Sequence, residues 1–253
     1  MTRRAGDLAR YLLWAGVLAS ADANRRHFSL PSTWVFHTIG NTATLLLPDL
    51  LRALGRRPAP LAVALRELVA DNPRYVAYVA PLALGYIVSH PRFNIYRGAW
   101  GNLRLAGFGL DSIPHATTAW GLTALVMDTL DVLGRCPPPA IPPEPARWAR
   151  ARPALIAGLA LALATLAYET AEWLIHTSEL RATGGDASRI NMEWSVADTR
   201  SDVLANLIGW LIAVATRRLD APAPPSPRAS GNGHRRGAAG ARRTPRTCID
   251  WSY

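Results

Sequence analysis

Two stretches of the chain set acidic and imidazole side chains at helical spacing inside apolar sequence. Glu169, Glu172 and His176 recur at intervals of three and four in TLAYETAEWLIHT, and Asp198, Asp202 and Asn206 recur every four in ADTRSDVLANLIGW. Each set therefore falls on one face of a helix. Asp111 and His115 in GLDSIPHATTAW repeat the form at the head of an earlier apolar segment. Carboxylates brought within a few ångströms of one another repel and lose hydration, so a cation or protons must join them. Carboxylate oxygen with one or two imidazoles suits Zn, Mn, Fe or, with water, Mg. On this reading Asp111, His115, Glu169 and Asp202 are metal ligands, and Glu172 and Asp198 handle the proton of an attacking water. His176, Asn206 and Arg200 complete the polar surround. Arg97, Arg104 or Arg200 would satisfy the same carboxylates without a metal.

A plainer reading fits the same residues. Acidic groups at helix N-termini, such as Asp111, Asp198 and Asp202, also complement the helix dipole. Glu169 and Glu172 would then bond only to Trp, Thr or Arg of neighbouring segments. The residues leave three functions open: a metal-dependent enzyme, a transporter or ion and proton site, and a structural polar network. His37 and His90 read as interfacial residues. Asp128 and Asp131 read as solvated or paired with Arg135.

The elements that must hold these residues follow from composition. The 253 residues are 49% hydrophobic with 9 Trp, yet carry 28 arginines, no lysine and a formal net charge of +10. Apolar blocks alternate with arginine-rich connectors, the pattern of a multi-span helical membrane protein, which needs about 20 apolar residues per span. Six transmembrane segments are expected, over residues 8–21, 34–51, 75–90, 110–133, 153–176 and 199–217. The first is also readable as a signal peptide, with a short apolar core before Ala19-Ser20-Ala21. Pro81 should kink the third and Pro91 stops it. The connector after Arg52 has room for a short amphipathic surface helix. Residues 92–109 read as a polar, Gly-rich loop. The linker between Thr177 and Ala197 reads as a lid over the site or as a plain loop.

Arginine placement sets the orientation. With the N-terminus inside, 20 of the 28 arginines fall on cytoplasmic segments and eight on outer ones, which favours N-in and C-in. The three acidic sets then share one depth, at the outer side, and so do five of the six histidines. The partners expected are the bilayer and, through arginine-rich loops and tail, anionic lipid head groups. Nucleic acid is a poor fit, because the arginines flank apolar spans instead of lining a folded face. Residues 220–253, rich in Pro, Gly, Ala and Arg, read as a disordered basic cytoplasmic tail. Cys136 and Cys248 fall on the cytoplasmic side, which argues against a disulfide.

Asp111-x-x-x-His115, Glu169-x-x-Glu172-Trp173 and Asp198-Thr199-x-Ser201-Asp202 followed by Asn206 and Gly209 resemble the YjdF-like family of bacterial integral membrane proteins, and more loosely the VanZ-like membrane proteins. The resemblance covers about Gly109 to Trp210. It implies a multi-pass membrane protein and supplies no reaction. The combined expectation is an all-α polytopic protein of the cell membrane, most plainly a metal-dependent hydrolase acting on a lipid or envelope precursor from the outer side.

Overall fold

The computed structural model describes residues 3–28, 30, 32–54, 65–105, 107–135, 144, 148, 151–190 and 194–220. Among them the chain is all-α. Its long helices are α1 (Arg3–His27), α2 (Ser32–Ala53), α3 (Tyr75–Ile87), α4 (Ser112–Arg135), α5 (Pro153–Ala182) and α6 (Val196–Asp220). Shorter pieces join them: a π-helical turn at Arg66–Ala70, one helical turn at Gly98–Gly101, a two-residue antiparallel hairpin pairing Arg104–Leu105 with Phe108–Gly109, and a 3-10 turn at Ala187–Arg189.

Each expected apolar segment coincides with one helix, with instructive differences at the ends. α1 runs beyond 8–21 in both directions, through polar residues that an apolar count leaves out. α5 continues six residues past His176, because TSELRA holds no breaker. It ends only where Gly184 and Gly185 take φ values of +66° and +90°, a conformation open chiefly to glycine. Arg152 precedes its first residue, Pro153, whose missing N–H costs nothing at a helix start. α5 is the one described helix long and apolar enough to cross a membrane, and only 17% of its apolar window is buried; α3 is a shorter apolar helix.

α4 is the hub. It packs against α3, α5 and α6, and most extensively against α6. Small residues explain the closeness: Ala205, Gly209 and Ala213 repeat every four positions on α6, and Ala205 and Ala213 are almost fully buried. At Gly209 the Ala116 carbonyl and the Ala119 methyl occupy the space a side chain would need, and Gly121 of α4 meets the Tyr78 carbonyl of α3 in the same way. Backbones approach this closely only where side chains are nearly absent. On the other flank, α1, α2 and α3 share a core built on Val17, Leu45, Ala83 and Tyr86.

The end of α4 remote from Asp111 carries ion pairs. Asp128 accepts from Arg217 at 2.9 Å and from the Tyr78 hydroxyl at 2.6 Å, and Asp131 pairs with the same guanidinium. The expected solvation or pairing with Arg135 did not include this partner: the last turn of α6 delivers Arg217 to α4 across 89 residues of sequence, Asp131 stays 60% exposed, and the Arg135 side chain lies outside what is described. A second network lies at the N-terminal end of α1, where Arg10, its side chain 3% exposed, donates to Asp7 and Asp49 at 2.8 Å each. Arg52 joins both carboxylates, at 3.0 and 3.2 Å. The middle of the connector beyond Arg52, where a short surface helix was expected, falls largely on positions 55–64, outside the described residues; Leu68, Val69 and Ala70 after them are buried in the core.

The loop over residues 92–109 is more ordered than its Gly content suggests. Asn94 Oδ1 accepts the Tyr96 N–H at 2.9 Å, and the Tyr96 hydroxyl donates to the Gly85 carbonyl at 3.0 Å. Arg97 donates to the carbonyls of Ile190 and Ala187, tying this loop to the linker between α5 and α6. Ile190 is fully buried. The expected tail at 220–253, apart from Asp220 at the end of α6, and both cysteines lie outside the described residues.

Candidate functional site

α5 and α6 bring three carboxylates together. Glu169, Glu172 and Asp202 each offer an oxygen, and these oxygens all lie within 4.8 Å of one another. Helical spacing does the positioning: Glu169 and Glu172 are one turn apart on α5, and Asp202 faces them from the second turn of α6. Glu169 is 8% exposed and Asp202 is 3% exposed. The Thr199 hydroxyl donates to Glu169 Oε2 at 2.8 Å, while Glu169 Oε1 is buried with no hydrogen-bond partner. Asp202 Oδ1 is likewise buried without a hydrogen bond, and His115 Nε2 stands 3.5 Å from it. Buried polar atoms are rarely left this way, since each orphan costs about 1–3 kcal/mol.

α4 supplies the third wall. His115 extends from its first turn to Asp202, and the His115 ring meets Tyr168 edge-on at 6.1 Å. Tyr168 and Glu172 stand one turn apart on α5. Asp111 stands just before α4; its Oδ1 is buried without a hydrogen bond and lies, with Arg104 Nη1, against Gly109. Tyr96, from the loop before α4, lies within the field of the group. Burial pushes its phenol well above the ordinary value near 10, and the charges of Glu172, Asp111 and Asp202 act in the same direction.

The remaining expected residues are placed differently. Asp198 lies in the first turn of α6, where Ser195 Oγ, the capping group, accepts its N–H at 3.1 Å. Asp198 is therefore not the cap, and it stands outside the group of three. His176 follows Glu172 on the same face of α5, half-buried, and also lies outside that group. Asn206 donates to Thr165 Oγ1 at 3.0 Å, a bond between α5 and α6. Arg200 is exposed. Arg97 donates to backbone carbonyls of the linker, and Arg104 donates to the Gly101 carbonyl at 2.6 Å. His37 stacks on Tyr86 at 5.2 Å and His90 on Phe93 at 5.0 Å.

Four residues of this region escaped the pattern of charges. Thr199, Tyr168 and Tyr96 touch or face the carboxylates but carry no charge, so charge spacing passes over them. Glu179, only 2% exposed, continues the face of Glu169, Glu172 and His176 by one more step of three. That step was the available signal.

Three carboxylate oxygens with an imidazole beside them form a donor set for a hard or borderline divalent ion. The charge of Asp111 also acts on Glu172 and Asp202, so the field at the site is negative. No protein-family model, curated protein or solved structure matches the chain.

Proposed function

We propose that this chain is a multi-span helical membrane protein whose outer side carries a divalent-cation site, and that it acts as a metal-dependent hydrolase on a lipid or envelope precursor. One observation carries the metal reading: Glu169 Oε1 and Asp202 Oδ1 are buried and unpartnered within a group of three converging carboxylates. A structural network would be expected to satisfy its own atoms. Glu169 and Asp202 with His115 would hold Zn, Mn, Fe or Mg, with Glu172 beside them. A bound divalent ion supplies Lewis acidity toward an ester or phosphoryl oxygen. Among the residues here, Glu172 would take a proton from water, Thr199 fixes Glu169, and His115 stands beside Asp202.

Support for the membrane placement comes from the length and apolar face of α5, and from the match between six helices and six expected spans. Exposed Leu159, Leu163, Phe36, Ile39 and Leu211 cover surfaces that water would leave uncompensated. The N-in, C-in orientation and the likeness to YjdF-like proteins belong to the same proposal. A transporter reading needs polar groups leading away from the site. Asp128 and Asp131, the acidic residues farther along α4, are instead locked by Arg217.

The test is metal content by mass spectrometry on detergent-purified protein, wild type beside Glu169→Gln/Asp202→Asn, after dialysis without chelator. Near-stoichiometric metal in the wild type and none in a folded double variant is expected. Metal-free wild type, with the variant merely less stable, would return the carboxylates to a structural role.

A further inference from the structure

We propose that the cleft between the last turns of α1 and the turn that follows α3 binds the phosphate head of an anionic amphiphile, with Arg26 holding it from one wall and Arg92 and His90 from the other. The cleft shares no residue with the carboxylate group and needs no metal. It takes from the proposed function only the placement of the protein in a bilayer.

The cleft measures about 510 Å³, within the range of sites that hold small molecules, roughly 300–1,000 Å³. Short side chains, Ala19 and Ala23, make its floor, and long ones make its walls, Arg26 and His27 of α1 against His90 and Arg92. The two pieces of chain are tied beside it. Ser20 donates to the Ile87 carbonyl at 3.2 Å and Asn24 to Ser89 Oγ at 3.4 Å, and both donors are almost fully buried. The gap is therefore set before a ligand arrives, which spares the cost of ordering its walls.

The polar groups of the lining favour an anion. Asp22 is the acidic residue among them, and both of its oxygens are taken, Oδ1 by Arg25 at 3.0 Å and Oδ2 by Arg26 at 2.6 Å. It holds these guanidinium groups in place while they cancel its charge. Arg92 is exposed, and among the described residues its guanidinium makes no hydrogen bond or ion pair. His90 accepts the Arg92 N–H on Nδ1 at 3.2 Å, so the neutral ring carries its proton on Nε2 and offers it as a donor. Cations in the last turn of α1 have a plainer use, since they complement the helix dipole. That use covers Arg25, Arg26 and His27. It leaves out Arg92 and His90, which a different element brings to the same cleft. Planar guanidinium groups from two sides suit a phosphate, whose oxygens accept paired N–H bonds.

An apolar track leads to these donors. Positions 8, 12, 15, 19, 23 and 26 of α1 recur at intervals of three and four, so they share one face. Leu8 and Leu12 on that face are 60% and 65% exposed, and Ala15 and Ala19 are exposed after them. Leu12 lies about 10 Å along the axis from Ala19. A hydrocarbon chain lying on the leucines thus ends with its head at the arginines. That order along one face, apolar and then basic, selects an amphiphile over a free phosphate.

The experiment is native mass spectrometry of the full chain in a neutral maltoside detergent with chelator present. Dioctanoyl phosphatidic acid is titrated in beside dioctanoylglycerol, which lacks the phosphate, and glycerol 3-phosphate, which lacks the hydrocarbon. One phosphatidic acid per chain is expected, with the other two bound about tenfold or more weakly. Arg92→Gln should weaken it by about tenfold or more through lost charge-assisted hydrogen bonds. Ala19→Trp, which fills the floor without changing charge, should abolish it at wild-type Tm. Arg181→Gln, the same loss of charge at an exposed position of α5, and Glu169→Gln/Asp202→Asn should bind as the wild type does. No binding by the wild type, equal losses in Arg181→Gln and Arg92→Gln, or unimpaired binding in Ala19→Trp would overturn the cleft. Glycerol 3-phosphate bound as tightly as phosphatidic acid would overturn the amphiphile. A loss confined to Glu169→Gln/Asp202→Asn would move the lipid to the carboxylates and overturn this site. Because the chelator removes any metal, the result does not depend on whether the carboxylates hold one.

Discussion

Substituting Gly209 by alanine sets two effects of known size against each other. An added methyl would lie 2.9 Å from the Ala116 carbonyl carbon and 2.9 Å from the Ala119 methyl, and closer still to the Ala116 oxygen. Ordinary contact begins near 3.4 Å, so α4 and α6 must part by about half an ångström or more, because a backbone carbonyl cannot rotate away inside a helix. Overpacking of this kind costs about 1–3 kcal/mol. Removing glycine from a helix interior returns about 0.5–1 kcal/mol. The Ala116 oxygen lies so far inside ordinary contact that the cost falls in the upper part of that range, about 2–3 kcal/mol, so the clash wins and a net loss of about 1–2.5 kcal/mol is expected. Gly40 of α2 is the matched control, since nothing lies within 4 Å of a methyl added there. Gly40→Ala should gain the propensity term alone. Scanning fluorimetry in detergent reads both: Tm falls for Gly209→Ala and rises for Gly40→Ala. Ala119→Gly should not rescue the first, because the carbonyl of Ala116 remains. A Gly209→Ala protein as stable as wild type would refute the backbone contact between α4 and α6.

Other expectations are quickly checked. Thr199→Val removes the hydroxyl that fixes Glu169 Oε2; divalent affinity, read by titration calorimetry, should fall roughly tenfold or more, as for other outer partners of metal ligands, with little change in Tm. Arg217→Met leaves Asp128 with the Tyr78 hydroxyl and Asp131 with no partner from α6. Because Asp131 is 60% exposed and Arg217 28%, the loss should be about 1–2 kcal/mol, below the range for a fully buried pair, and metal content should not change. Tyr96→Phe should flatten the alkaline limb of stability. The folded protein holds the Tyr96 phenol above its ordinary value near 10. Its contribution is therefore complete below about pH 10 and is lost as pH rises further, once the unfolded chain sheds that proton and the folded one resists. An alkaline unfolding midpoint identical in Tyr96→Phe and wild type would argue against the burial of that hydroxyl.

The legible and illegible parts of the chain divide by how far apart the interacting residues are. Intervals of three and four put Glu169 with Glu172 and set Asp202 on the face of α6 that meets them, because within a helix spacing fixes direction. The same rule would have reached Glu179, which no shift in composition marked. Asp128 shows the limit: Arg135 was the natural partner by proximity in sequence, but the fold brings Arg217 from the far end of α6. Tyr168 reads locally as one more aromatic on an apolar helix, and its edge-on contact with His115 emerges only once α5 is placed against α4. Arg97 holds the linker by backbone carbonyls, which every residue possesses and no sequence pattern announces. Ser195 took the capping role that the acidic residues seemed to claim, about two turns before Asp202 is reached.

The length of α5 acts as a depth gauge. At 1.5 Å per residue its 30 residues measure about 45 Å, against about 30 Å for the hydrocarbon of a bilayer. With Pro153 at the inner boundary in the proposed placement, Glu169 stands about 24 Å along the helix and Glu172 about 28 Å, while the turns beyond His176 project into the headgroup region. Any tilt lowers both carboxylates further into the slab. The group would then meet a reacting ester or phosphoryl bond at the level where acyl chains join their head, a depth that neither a water-soluble enzyme nor a mid-membrane ion channel samples. Lengthening or shortening α5 by one turn below Glu169 would move that level by about 5 Å, so substrate preference should follow the thickness of the surrounding membrane.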